Sequence, residues 1–137
     1  MLFETDRLII RKFTENDIDR WFEITSHTET LNFWPSPFSY EQSKNWIHRA
    51  LKNYSDLGFG RYALIEKKSS LLIGDCGFLK IELLGHQEID LGYILDRDFW
   101  GKGFATEAAT ACMNYGVNSL GIKKIVATME TTHLASK

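Results

Sequence analysis

Asp90-Leu91-Gly92-Tyr93-Ile94-Leu95 runs through Asp96-Arg97-Asp98 into Phe99-Trp100-Gly101-Lys102-Gly103-Phe104-Ala105-Thr106-Glu107-Ala108, and this stretch decides the fold. Tyr93 to Leu95 reads as the end of a strand, Phe99 to Gly103 as a glycine-rich turn, and the residues from Thr106 as the start of a helix. That succession suits a bound phosphate. Glycines let the backbone approach a ligand closely, consecutive N–H groups point into the turn, and the helix dipole adds partial positive charge. A G-x-G turn alone equally describes a tight strand-to-helix connection. Two other phosphate-binding patterns fail on spacing: there is no G-x-x-x-x-G-K-S/T, and the turn comes late in the chain rather than in a first β-α-β unit.

Downstream, Thr106 to about Leu120 is expected to be a helix whose face carries Ala108, Ala109, Cys112, Met113, Gly116 and Val117, small enough to lie close on a sheet. Gly121 closes it, and Ile122 to Met129 reads as a further strand, parallel to the preceding one if the crossover is right-handed. Upstream, Arg61–Glu66, Leu71–Ile81 and Glu88–Leu95 read as an antiparallel meander joined at Lys67–Ser70 and Leu84–Gln87. Before it, Leu8–Phe13 reads as a strand. A helix follows from the Thr14/Asp17 capping pair through Ile18, Trp21 and Phe22 to about Ser26. Ser39 and Gln42 form a second capping box, opening a helix with Trp46, Ile47, Ala50, Leu51 and Tyr54 on one stripe and Gly58 and Gly60 at its end. Between the helices, Asn32 to Phe38 holds both prolines and reads as an aromatic loop. The predicted order is β-α-α-β-β-β-α-β, an α/β (α+β) arrangement in one domain over residues 1–137.

Composition agrees with an ordinary globular chain of 137 residues, 44% hydrophobic and 25% charged. A net charge of -2, with no basic run beyond Lys67–Lys68 and Lys123–Lys124, argues against a nucleic-acid partner. No apolar leader opens the sequence and no stretch approaches a membrane span, so a cytoplasmic setting is expected. Cys76 and Cys112 lack metal or redox spacing and read as buried reduced thiols. His27, His48 and His86 are scattered at no ligand spacing, and no metal is expected.

Thr5-Asp6-Arg7-Leu8-Ile9-Ile10-Arg11 resembles the T-x-R-L-x-L-R opening of the Rim-type branch, similar to ribosomal-protein-alanine acetyltransferases, of the GNAT N-acetyltransferases. Asp90 to Leu95 followed by Trp100 to Ala108 is similar to that family's fourth strand and pyrophosphate loop, and Glu130 to Ser136 sits where the family has N-x-A-S after its fifth strand. The resemblance implies the GNAT fold with a mixed central sheet, and acetyl-CoA held in the V between strands four and five. It implies that Ile94 and Leu95 offer backbone contacts to the pantetheine and thioester, one of them through an N–H that stabilises the oxyanion. Gly101, Lys102, Gly103, Phe104, Ala105 and Thr106 would hold the pyrophosphate, with Trp100 standing where the wider family has Arg or Gln. His133 replaces the usual asparagine near the cofactor.

The implied reaction is direct attack of a neutral primary amine on the thioester, the acceptor being a protein N-terminus or a small-molecule amine. Such amines are largely protonated near neutrality, so a base or a desolvating site is needed. Asp90 matches the strand-four glutamate that serves relatives as base, and Ser136 the serine that protonates the leaving thiolate. Phe33, Trp34, Phe38 and Tyr40 would wall the acceptor pocket. Relatives continue past the serine into a helix and two strands, so the final α-β-β of the fold is expected to be missing here, leaving a sheet edge that a second copy could pair. The alternative reading is a non-catalytic acyl-CoA-binding or interaction module.

Overall fold

The structure, a computed structural model, describes residues 1–27 and 36–127. Among these residues, five strands form one sheet in the order β1-β2-β3-β4-β5: β1 (Phe3–Glu4), β2 (Leu8–Arg11), β3 (Arg61–Glu66), β4 (Leu72–Leu83) and β5 (His86–Leu95), each antiparallel to its neighbour. Beyond β5, Val126 makes a single parallel bridge to Asp90, so the sheet is mixed at that edge. The expected strand Ile122–Met129 is represented among the described residues by this one bridge. The short β1 was not foreseen, because two residues give no periodicity to read.

Strand alternation separates two cores. Leu8, Ile10, Tyr62, Leu64, Cys76, Phe78, Leu91, Tyr93 and Leu95 face Ala105, Ala108, Ala109 and Cys112 of α3 (Phe104–Asn118). On the other face, Ala63, Leu72 and Ile94 meet Ile18, Trp21 and Ile24 of α1 (Ile18–Thr25) and Ile47 and Ala50 of α2 (Tyr40–Leu57). Both cysteines are free and buried in the first core.

The caps follow the chemistry read from the sequence. Ser39 accepts from the Gln42 N–H at 3.1 Å while Gln42 answers the Ser39 N–H at 2.8 Å, and Gly58 ends α2 at φ +81°. Thr14 and Asp17 also form a capping box, opening a 3-10 turn, Glu15–Asp17, that leads into α1. Three boundaries differ. The β4–β5 turn contracts to Leu84-Gly85, both at positive φ, as a two-residue hairpin of this hand requires, so His86 and Gln87 join the strand. Helix α3 begins at Phe104, two residues early. The pairing of β4 with β3 shifts register between Leu64 and Ile65, leaving Ile73 as an extra residue on β4. The bulge puts Leu72 and Asp75 on the same face of the sheet.

Candidate active site

At the end of β5 the chain turns sharply and is fixed by polar contacts. Asp96 Oδ1 accepts the Asp98 N–H at 3.1 Å, opening a 3-10 turn over Arg97–Phe99, and its other oxygen takes Arg20 Nη2 at 3.1 Å. Trp100 Nε1 donates back to the Leu95 carbonyl at 2.8 Å, so Trp100 braces the turn that it opens. Gly101 and Gly103 have φ of +75° and +82°, a conformation that penalises any side chain. Gly103 is the N-cap of α3 and brings no side chain to cover the first turn. The amides of Phe104, Ala105 and Thr106 thus have no partner inside the helix, and the first intrahelical bond runs from the Glu107 N–H to the Gly103 carbonyl at 3.0 Å. Uncapped amides at a helix N-terminus can receive an anion, and these belong to residues singled out in the sequence. Lys102 holds its ammonium 5.5 Å from the Phe99 ring centroid.

The outer edge of β5 lies beside this turn. Leu91 donates to the Val126 carbonyl at 2.7 Å and Val126 donates to the Ile89 carbonyl at 2.9 Å, so the odd-numbered residues of β5 direct their backbone groups outward. Tyr93 and Leu95 continue that outward set past the bridge. Ile94 differs from the expectation placed on it: its N–H donates to Asp75 Oδ1 at 2.9 Å, on the β4 side. Leu95 therefore keeps the expected direction, and Tyr93 takes the position assigned to Ile94. Between this edge and α3 opens a largely apolar cavity of about 370 Å³, lined by Leu91, Tyr93, Ala109, Thr110, Met113, Asn114 and Ala127.

On the α2 side, Asp90 is buried and sits at the bridge to Val126. Beneath the same strand lies a polar cluster that sequence reading missed. Asp75, with no exposed surface, accepts from Arg61 Nη2 at 2.8 Å, Trp46 Nε1 at 2.9 Å and the Ile94 N–H. Burial pushes its carboxyl above the usual range, against the opposing pull of Arg61 and the hydrogen bonds. The Arg61 guanidinium lies 5.0 Å from the Trp46 ring centroid, and a Cβ on Gly92 would meet Nη1 at 3.0 Å, so glycine there makes room for it. The sequence signal was a carboxylate inside the apolar run Leu72-Ile73-Gly74-Asp75-Cys76.

The acceptor-side aromatics divide. Phe38 packs 5.7 Å from Trp46 and helps line a cavity of about 370 Å³ with Gln42, Asn45, Trp46 and Arg49. Tyr40 instead pins α2 to α1, with its hydroxyl on Asp19 at 3.0 Å and its ring edge-on to Phe22. Phe33, Trp34, His133 and Ser136 lie outside the described residues. Among the described residues, no group of three or more His, Cys, Asp or Glu is placed to hold a metal.

Arg7 and Glu107 were read only as parts of motifs, yet they meet at the start of α3. Arg7 Nε donates to Glu107 Oε1 at 2.7 Å, the Arg7 N–H and the Thr5 hydroxyl both donate to Oε2, and Arg7 Nη1 donates to the Lys102 carbonyl at 2.9 Å. The guanidinium lies 4.1 Å from the Phe104 ring centroid.

Comparison with known proteins converges on one family. A family model described as an acetyltransferase (GNAT) domain matches residues 7–137. A Bacillus licheniformis protein named as the uncharacterized N-acetyltransferase p20 is 31% identical over 134 residues, covering 96% of this chain and 75% of its own length. Among solved structures, a GNAT-family acetyltransferase from Bacillus anthracis superposes with a TM-score of 0.71 at 25% identity, covering 90% of this chain and 70% of that one. A ribosomal-protein-S5-alanine acetyltransferase from Vibrio fischeri reaches the same TM-score at 17% identity, with the same coverage, a likeness of fold.

Proposed function

This chain belongs to the GNAT acetyltransferases, and from that premise we propose that it transfers the acetyl group of acetyl-CoA to a primary amine by direct attack. One observation carries the reading: an α3 N-terminus with no side-chain cap, opened by Gly101 and Gly103, follows directly on the end of β5. The residues fit acetyl-CoA. Amides from Gly101 to Thr106 suit its pyrophosphate, and the apolar cavity beside Tyr93 suits its pantetheine arm. Bound there, acetyl-CoA supplies an activated thioester.

In this reading, the chain's own groups orient the acyl group, take a proton and supply a proton. The outward N–H of Leu95 would stabilise negative charge developing on the acyl oxygen. Asp90, buried on the acceptor side of β5, would accept the amine proton, directly or through water. Ser136 is assigned the return of a proton to the leaving thiolate, and His133 a contact to the cofactor. Phe33, Trp34 and Phe38 are assigned to the acceptor pocket, and the Phe38–Trp46 pair favours an amine with an apolar neighbouring group. Tyr40 enters that pocket only indirectly, by holding α2 in place. The protein N-terminus of the Rim-type branch and small-molecule amines are the two acceptor classes retained, and a cytoplasmic setting goes with both.

The test is acetyl-CoA turnover, read as release of free thiol, across peptides with free N-termini, amino acids and polyamines. Turnover with at least one class is expected. Asp90→Asn should lower kcat by about 10²-fold or more while leaving acetyl-CoA affinity within about twofold. Binding of acetyl-CoA without turnover on any amine would rule out the transferase assignment for this chain and leave a binding module.

A further inference from the structure

Hydrogen bonds, an ion pair and a ring contact join Arg7 and Thr5, near the start of the chain, to the turn and first helical residues about a hundred positions later. Their energetic purpose is not bulk stability. The Arg7 side chain is 44% exposed and Glu107 18% exposed, and ion pairs at such a surface contribute little to folding. What the contacts do is local and directional. Lys102 directs its carbonyl at Arg7 Nη1. In a planar trans peptide the C=O and the next N–H point in opposite directions, so this bond aims the Gly103 N–H away from Arg7. Arg7 also backs the glycine itself: a Cβ on Gly103 would lie 3.4 Å from Nη2.

Glu107 needs a partner for a second reason. A carboxylate in the first turn of a helix is attracted by the same amide dipoles that would bind an anionic ligand. Here both its oxygens are occupied by Thr5 and Arg7. Burial would raise its carboxyl, but the hydrogen bonds from Thr5 and Arg7 prevail and hold it below the usual range. Its charge is thus present and is neutralised at its source.

We propose that Arg7 is a positioning residue for the anion-binding turn: it orients the Lys102–Gly103 peptide and turns the Glu107 carboxylate toward itself, leaving the α3 amides to the pyrophosphate. Thr5 shares the second task. The inference rests on the acetyl-CoA reading for its ligand, but its structural half stands without one.

Two measurements test it. In the ligand-free protein, Arg7→Ala should speed amide hydrogen exchange in peptides covering residues 101–106 by about tenfold while leaving the β3–β4 region unchanged. In calorimetric titration, Arg7→Ala should weaken acetyl-CoA binding by about tenfold. Adding Glu107→Gln to Arg7→Ala should recover about threefold of that loss, because the uncompensated carboxylate is gone, and should reduce the salt dependence. A residue that merely supports the fold would give a double variant no better than the single one. Arg7→Lys keeps the charge but loses the fork, so it should bind with an intermediate constant; it serves in place of Arg7→Ala should that variant unfold. Unchanged exchange at 101–106, or affinities of the single and double variants that are equal, overturns the proposal. A wild-type chain that fails to bind acetyl-CoA instead overturns the cofactor reading, and the exchange data then decide on Arg7 alone.

Discussion

Asp75 organises the buried side of the site through three donors drawn from three elements: Trp46 of α2, Arg61 of β3 and the Ile94 N–H of β5. A buried ion pair contributes little net stability when intact, yet removing one partner leaves the other charge stranded. Arg61 makes the stakes higher, since its Nε is already buried without a hydrogen-bond partner among the described residues. Asp75→Ala should therefore cost about 3–5 kcal/mol, measured by urea unfolding. A loss below about 1 kcal/mol would mean that water reaches Arg61 and that the cluster is not closed. The sequence made this residue conspicuous as a carboxylate among apolar neighbours, but not its partners. The β3–β4 register pairs Asp75 with Ala63 and so leaves Arg61 two residues along the facing strand, and a bulge at Ile73 sets which face Asp75 takes. No residue type in that run signals a bulge. For the same reason the direction of Ile94 was not legible: a one-residue difference in direction is fixed by ladder register and cannot be read from a run of apolar letters.

Among the elements, α3 shows how far small residues determine packing. Gly116 lies over Phe78 and Ile125, and a Cβ there would come within 2.6 Å of Phe78 Cζ. Alanine gains about 1 kcal/mol in helix propensity, but Phe78 is fully buried and cannot give way freely, so overpacking at about 1–3 kcal/mol outweighs the gain. Gly116→Ala should lower the midpoint of thermal unfolding; an increase would show that α3 slides on the sheet at no cost. The helices were legible because their signals are local: Ser39 and Gln42 fixed the start of α2 and Gly58 its end. The β4–β5 turn was less so. Leu84 adopts φ +53°, an unusual state for leucine, and the sequence offered no reason to expect a two-residue turn there. At the other end of the chain, β1 is held by backbone pairing to β2 and by Phe3 stacked on Tyr115 at 4.6 Å, contacts that local sequence does not announce.

At the scale of the whole molecule, one sheet separates two chemistries. Its α3 face carries one apolar core and ends in the glycine turn; its α2 face carries the other core together with Asp75, Arg61 and Asp90, with Trp46 of α2 reaching in to Asp75. Strand β5 belongs to both, because alternate residues look to opposite sides while its outer backbone edge lies between them. A ligand lying along that edge would present its anionic end to the α3 amides and its reactive end near Asp90. The glycine turn and the order of elements were legible, since both are sequence-local; the polar cluster on the α2 face and the cross-chain tie from Arg7 to Lys102 and Glu107 emerged only once the fold brought their members together. The most direct test is the effect of acetyl-CoA on thermal unfolding. A ligand that binds only the folded chain stabilises it by RT ln(1 + [L]/Kd), about 2.7 kcal/mol at a hundredfold excess over Kd. A rise of several degrees with acetyl-CoA is expected, lost in Gly103→Val, whose side chain would be strained at φ +82° and would lie against Arg7. No shift at about a millimolar acetyl-CoA, or an equal shift in Gly103→Val, would contradict it.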